Sequence, residues 1–113
     1  MCKNAHGLGE CVCVGAAAYD AHRTAHLIAC YAAQLAAALN ADRCEIYSDV
    51  DGIYTADPRL VTGALRLDRI DYADMLALAL HGSQVLHSRS VAAAMRSGVR
   101  VHLLSSFTRR EGT

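Results

Sequence analysis

Residues 47 to 59, YSDVDGIYTADPR, gather three aspartates, two tyrosines, an arginine and the chain's single proline. The carboxylates of Asp49, Asp51 and Asp57 suit hard-cation chemistry, because they can supply oxygen ligands to magnesium or accept hydrogen bonds from a ribose or a base. Tyr54 offers a flat apolar face with a polar tip, and Arg59 offers a planar fork that matches phosphate oxygens. Together these residue types suit a nucleotide and its metal. They suit a local reading equally: Asp49 and Asp51 cap turns, Asp57 opens an Asp-Pro turn with Pro58, and Tyr54 packs. Residue types alone leave both readings open.

Other reactive groups are scattered. His22 and His26 stand four apart on a helical stretch, a spacing that can present two imidazoles to one metal, but no glutamate or third ligand completes the pattern, which favours a surface or packing role. Cys2, Cys11 and Cys13 lie near His6, yet C-x-C is not the usual zinc spacing and no second half follows. Cys30 and Cys44 sit in apolar surroundings and are expected to pack rather than react. An odd total of five cysteines without a secretion signal argues for reduced thiols, and no metal site is expected.

The elements that must position the aspartate-rich stretch are readable on either side of it. ECVCVGAAA, residues 10 to 18, is a short apolar run that suits a buried strand ended by Gly15. The alanine-rich segment from Ala21 to Asn40 contains strong helix formers and neither glycine nor proline. Cys44, Ile46 and Tyr47 then read as a strand. Asp51-Gly52 and Asp57-Pro58 are turn signals, so residues 49 to 59 are expected to form a structured loop. Asp71 reads as the cap of a helix whose inner face carries Tyr72, Met75, Leu76, Ala79 and Leu80, closed by Gly82. A further helix over residues 90 to 97 ends at Gly98, and VRVHLLSS suits a buried strand. The C-terminal TRREGT is polar and expected to fray. This order implies an α/β fold with a mainly parallel sheet and flanking helices. Ligands of such sheets bind beyond the carboxyl ends of the strands, which is where residues 48 to 59 fall.

Composition excludes several classes. At 113 residues, 53% apolar and 19% charged, the chain has the length and balance of one globular domain. A formal net charge of zero points to neither nucleic acid nor an anionic membrane. The only lysine is Lys3, so lysine chemistry in the body of the chain is excluded. His22, Arg23, His26 and Gln34 interrupt the most apolar region, and the first residues do not resemble a signal peptide. A cytoplasmic protein is expected.

The order of residues is more specific than their types. LAAALNADRCEIYSDVDGIYTADPR, residues 35 to 59, closely resembles the nucleotide-binding segment of aspartate kinases, members of the amino-acid kinase family. The likeness continues through LDRIDYADMLALALHGSQVLHSRSVAAAMRSGVRVHLLSSF and the final EGT. It implies part of an amino-acid kinase (carbamate kinase-like) fold and the ATP-dependent phosphorylation of the L-aspartate side-chain carboxylate, on the route to lysine, threonine and methionine. It also implies ATP with Mg2+ as the cofactor, held by Ser48, Asp49, Tyr54, Asp57, Pro58, Arg59 and the position of Gln84. Ser48 stands where a threonine is more usual and keeps the hydroxyl.

Departures from the family pattern limit what the resemblance implies. GSQVLHSR replaces the usual GAKVLHPR, so Gln84 stands in place of a phosphate-binding lysine and Ser88 in place of a proline. Loss of that cation weakens charge stabilisation during phosphoryl transfer. The family's glycine-rich GRGGSD loop corresponds to TAHLIA, residues 24 to 29, and an apolar helix cannot cradle phosphate as glycine backbone does. Residues 1 to 34 match no family segment, and the regulatory ACT domains are lacking. The expectation is therefore a fragment, truncated or frame-shifted, with residues 35 to 113 as the nucleotide-binding part. Such a fragment retains at most ATP binding and meets L-aspartate only if the rest of the site is supplied. Two other readings stay open: a non-catalytic binding or assembly module that forms homo-oligomers through an exposed sheet edge, and a zinc or redox protein built on the N-terminal cysteines.

Overall fold

The computed structural model describes residues 2–3, 10–15, 21–82 and 85–113, those before residue 29 by their backbone. In chain order the elements are β1 (Cys2–Lys3), β2 (Glu10–Gly15), α1 (Ala21–Ala38), β3 (Arg43–Ser48), α2 (Tyr72–Leu80), α3 (Ser88–Ser97) and β4 (Arg100–Ser105). The strands form one sheet in the order β1-β2-β3-β4. β2, β3 and β4 are parallel, and β1 adds a short antiparallel edge. The chain is thus an α/β domain with a mainly parallel sheet and flanking helices, as its sequence order implies.

Alanine explains how the helices pack. Ala29, Ala32, Ala33 and Ala36 are buried on α1, spaced to share one helical face. Ala93 and Ala94 are buried on α3, which packs against α1, so both helices of this pair bury small side chains. Their size lets the two helices approach closely, and a longer side chain at fully buried Ala36 would force them apart. Beneath them, Cys44, Ile46 and Leu103 fill the core from β3 and β4. The alternate positions of β3 carry polar groups. Glu45 is buried there and accepts hydrogen bonds from Arg43 Nε at 2.8 Å and the Tyr47 hydroxyl at 3.1 Å, so its charge is compensated.

Caps set the helix ends. After α1, Asn40 adopts a positive φ of 50°, with Asn40 N–H bonded to the Ala37 carbonyl and Ala41 N–H to that of Ala36. Gly98 ends α3 in the same way at φ 66°. Asp71 caps α2 by accepting from the N–H groups of Ala73 and Asp74. α3 begins at Ser88, two residues before its expected start, because the His87 ring accepts the Arg89 N–H and acts as the cap. On α2, Met75 is buried while Leu80 is 67% exposed; five residues beyond Met75, Leu80 has turned off the inner face.

The C-terminal segment departs from expectation. Instead of fraying, it folds back so that Leu103 and Thr113 exchange both backbone hydrogen bonds, at 2.8 and 3.1 Å. The tail therefore pairs with the outer edge of β4 at Leu103. Gly112 makes this possible: it has φ 70°, and a β-carbon there would lie 1.9 Å from the Leu103 carbonyl oxygen.

Candidate nucleotide site at the end of β3

Strand β3 ends at Ser48, in register with Ser105 at the end of β4. The Ser48 carbonyl accepts from both Ser106 N–H at 2.8 Å and Ser106 Oγ at 3.0 Å, which ties the two strand ends together. Ser48 Oγ lies 3.2 Å from the backbone N and O of Val50 and starts the turn, leaving the Asp49 side chain exposed.

Beyond the turn the chain runs out and back as a hairpin. Thr55 N–H bonds to the Leu65 carbonyl and Leu67 N–H to that of Ile53, so residues 53 to 55 pair with 65 to 67. Gly52 enters this pairing at φ 146°, and a β-carbon there would meet Thr113 Oγ1 at 2.5 Å. That hydroxyl accepts from Ile53 N–H at 2.9 Å and donates to the Leu67 carbonyl at 2.6 Å, bridging both arms of the hairpin base.

Asp51 is the electrostatic centre of the base. One carboxylate oxygen accepts from the Tyr54 hydroxyl at 2.9 Å and the other meets Arg110 Nη1 at 3.1 Å. The Tyr54 hydrogen bond, with help from Arg110, holds the Asp51 carboxyl below its ordinary value. The same bond raises the Tyr54 phenol, since ionising it would place two negative charges together.

At the tip, Asp57 accepts the Arg59 N–H at 2.9 Å and the Arg59 guanidinium at 3.1 and 3.2 Å. The guanidinium lowers the Asp57 carboxyl, and the carboxylate raises Arg59. The Arg59 side chain is nevertheless 88% exposed, which keeps part of its fork available to a ligand.

A cleft of about 600 Å³ opens between the hairpin and α2. Tyr54, Leu67, Ile70 and Leu78 give it apolar wall, Arg69 and Asp74 give it charge, and His81 adds a polar ring.

The residues expected to form a site thus fall into three places. Ser48 and Asp49 mark the strand end, Tyr54 joins the hairpin base to the cleft, and Asp57, Pro58 and Arg59 form the tip. Gln84 lies outside the described residues, as do the side chains of His6, His22, His26, Cys2, Cys11 and Cys13. Among the described residues no group of three or more His, Cys, Asp or Glu side chains is placed to hold a metal. Sequence reasoning missed Asp51 as the hub, together with Arg110 and Thr113. Asp51 carried a turn signal and a place among the candidate carboxylates, but Arg110 reaches it from 59 positions away and Thr113 reaches Ile53 from 60 positions away.

Residues 30–105 match the sequence model described as Amino acid kinase family. An aspartokinase of Rickettsia prowazekii is 52% identical over 83 residues, which is 73% of this chain and 19% of that protein. The aspartate kinase structure from Synechocystis superposes with a TM-score of 0.71 at 46% identity, covering 76% of this chain and 15% of the other. E. coli aspartokinase III in complex with aspartate and ADP gives a TM-score of 0.72 at 41% identity, covering 82% and 21%. The chain spans about a fifth of the length of the curated relatives it matches.

Proposed function

The chain belongs to the amino acid kinase family, and we propose that its β3-end loop binds ATP as the magnesium complex. The carrying observation is the address of that loop: it lies beyond the carboxyl ends of parallel strands β3 and β4, in a chain whose structural neighbour is a complex with ADP. In this reading Tyr54 and the apolar cleft wall take the adenine base. Ser48 and Asp49 meet the ribose and phosphates, the turn at Asp57 and Pro58 presents Arg59 to phosphate oxygens, and position 84 carries an amide where the family has a cation.

The donor set fits magnesium carried by a nucleotide. Mg2+ is bound through one or two carboxylates plus substrate phosphates, and exposed Asp49 is such a carboxylate. When bound, the ion neutralises charge on the phosphates.

By its family, the reaction served is transfer of the γ-phosphoryl group to the side-chain carboxylate of L-aspartate, in the cytoplasmic synthesis of lysine, threonine and methionine. A carboxylate oxygen bonds to phosphorus as the bond to the ADP oxygen breaks. In-line transfer requires both substrates positioned together. To these residues we assign the nucleotide half-site, and L-aspartate enters this reading only where the rest of the site is supplied.

A thermal melt followed by circular dichroism, with and without magnesium-ATP, tests this reading. Ligand at 100 times its dissociation constant adds about 2.7 kcal/mol, so a cooperative transition should move clearly upward. A cooperative melt that ignores ATP overturns the proposal. Gln84→Lys should tighten binding, and an unchanged affinity would remove position 84 from the site.

A further inference from the structure

We propose that the C-terminal segment Arg110 to Thr113 is a latch that holds the nucleotide loop in its binding-competent shape, with Thr113 and Arg110 as positioning residues. The inference rests on the nucleotide reading of that loop and adds residues that the reading does not include.

Three segments distant in sequence meet at Thr113. Its backbone is paired with Leu103 of β4, which fixes its place against the sheet. Its hydroxyl then accepts from Ile53 N–H and donates to the Leu67 carbonyl, using both hydrogen-bonding capacities on the two arms of the hairpin base. From the same tail, Arg110 reaches the Asp51 carboxylate that also receives the Tyr54 hydroxyl. Gly112 and Gly52 admit the contact, since a β-carbon on either would enter the space of Leu103 or Thr113. Tyr54 and the turn after Ser48 are thus referenced to the sheet through the tail.

A loop that is competent only part of the time binds with an affinity reduced by that fraction. Without the Thr113 hydroxyl, the Ile53 N–H and Leu67 carbonyl lose their partner, and a penalty of this kind is enough to move the loop equilibrium by about tenfold.

The test compares the intact chain with Thr113→Val, Thr113→Ser and Arg110→Gln, reading amide hydrogen exchange at residues 51 to 54 and magnesium-ATP affinity. Thr113→Val should speed exchange at Ile53 and weaken ATP binding about tenfold, and Thr113→Ser should restore both. Arg110→Gln, at a side chain 67% exposed and therefore safe for folding, should weaken binding by a smaller factor. If the unaltered chain binds no magnesium-ATP, the nucleotide reading falls and takes the latch with it. If it binds, and Arg110→Gln and a folded Thr113→Val bind equally well, the latch alone falls. Should Thr113→Val not fold, unchanged affinity and unchanged exchange in Arg110→Gln overturn the latch.

Discussion

The base of the hairpin and its tip are neighbours in sequence but are held by opposite means. At the base, Asp51, Gly52 and Ile53 are fixed by Arg110 and Thr113, which arrive from the far end of the chain. At the tip, Asp57 is fixed by Arg59, two residues on, and by its own carbonyl, which accepts from the N–H groups of Leu60 and Val61. Leu60 and Leu65 remain 83% and 70% exposed there, so almost nothing from the core supports the tip. The base borrows its rigidity from the sheet, whereas the tip is a self-contained turn. In the proposed nucleotide reading, a loop built this way holds a ring against Tyr54 while leaving Arg59 able to adjust to phosphates.

The largest break of this contrast comes from glycine. Gly112→Ala should cost more than about 3 kcal/mol, because the residue is at positive φ and its new β-carbon would overlap the Leu103 carbonyl. Gly63→Ala at the tip meets nothing within 4 Å and should stay within about 0.5 kcal/mol. Urea unfolding of both variants measures the difference, and equal midpoints would show that the tail does not support the fold.

A smaller effect separates the two aspartates. Asp51→Ala removes two charge-assisted hydrogen bonds from a partly buried carboxylate and should lower stability by about 1–2 kcal/mol. Asp57→Ala removes an exposed ion pair and one turn hydrogen bond from the Arg59 N–H, both local, and should shift the midpoint less, with the ion-pair part fading at high salt. A larger loss for Asp57→Ala would reverse the comparison.

The smallest effect is a change of slope with pH. Because the folded-state value of Asp51 is depressed, its contribution is complete above the ordinary 3.8 and is lost as pH falls through the lower folded value. Tyr54 is raised, so its contribution is complete below the ordinary 10.0 and is lost as pH rises through the higher folded value. The base is therefore held best across the broad range between these limits. Asp51→Ala should flatten the stability profile at both ends, and identical acid and alkaline slopes would show that the Asp51 and Tyr54 pair is not coupled to folding.

The tip was legible in the sequence and the base was not, for the same reason that they respond differently. Asp57-Pro58 is a turn by local chemistry, and its carboxylate meets the backbone two residues on, a distance that sequence reading spans easily. Asp71 as a cap and Gly98 as a helix stop are local in the same sense. The Leu80 misplacement came from continuing an apolar face one position too far. Thr113 was read as part of a polar end prone to fray, because nothing local shows that a glycine beside it lets the backbone lie against β4.

By itself, the sequence determined the α/β order, the parallel sheet, the alanine-rich helix α1, the aspartate-rich turn after β3 and the family. These follow from short-range propensity, periodicity and a long specific run of residues. Only the tertiary structure decided that Asp51 is the hub of the loop and that Arg110 and Thr113 hold it. Those contacts join residues some sixty positions apart, and their partners are chosen by how β3 and β4 bring separate segments side by side rather than by any preference written in the segments themselves.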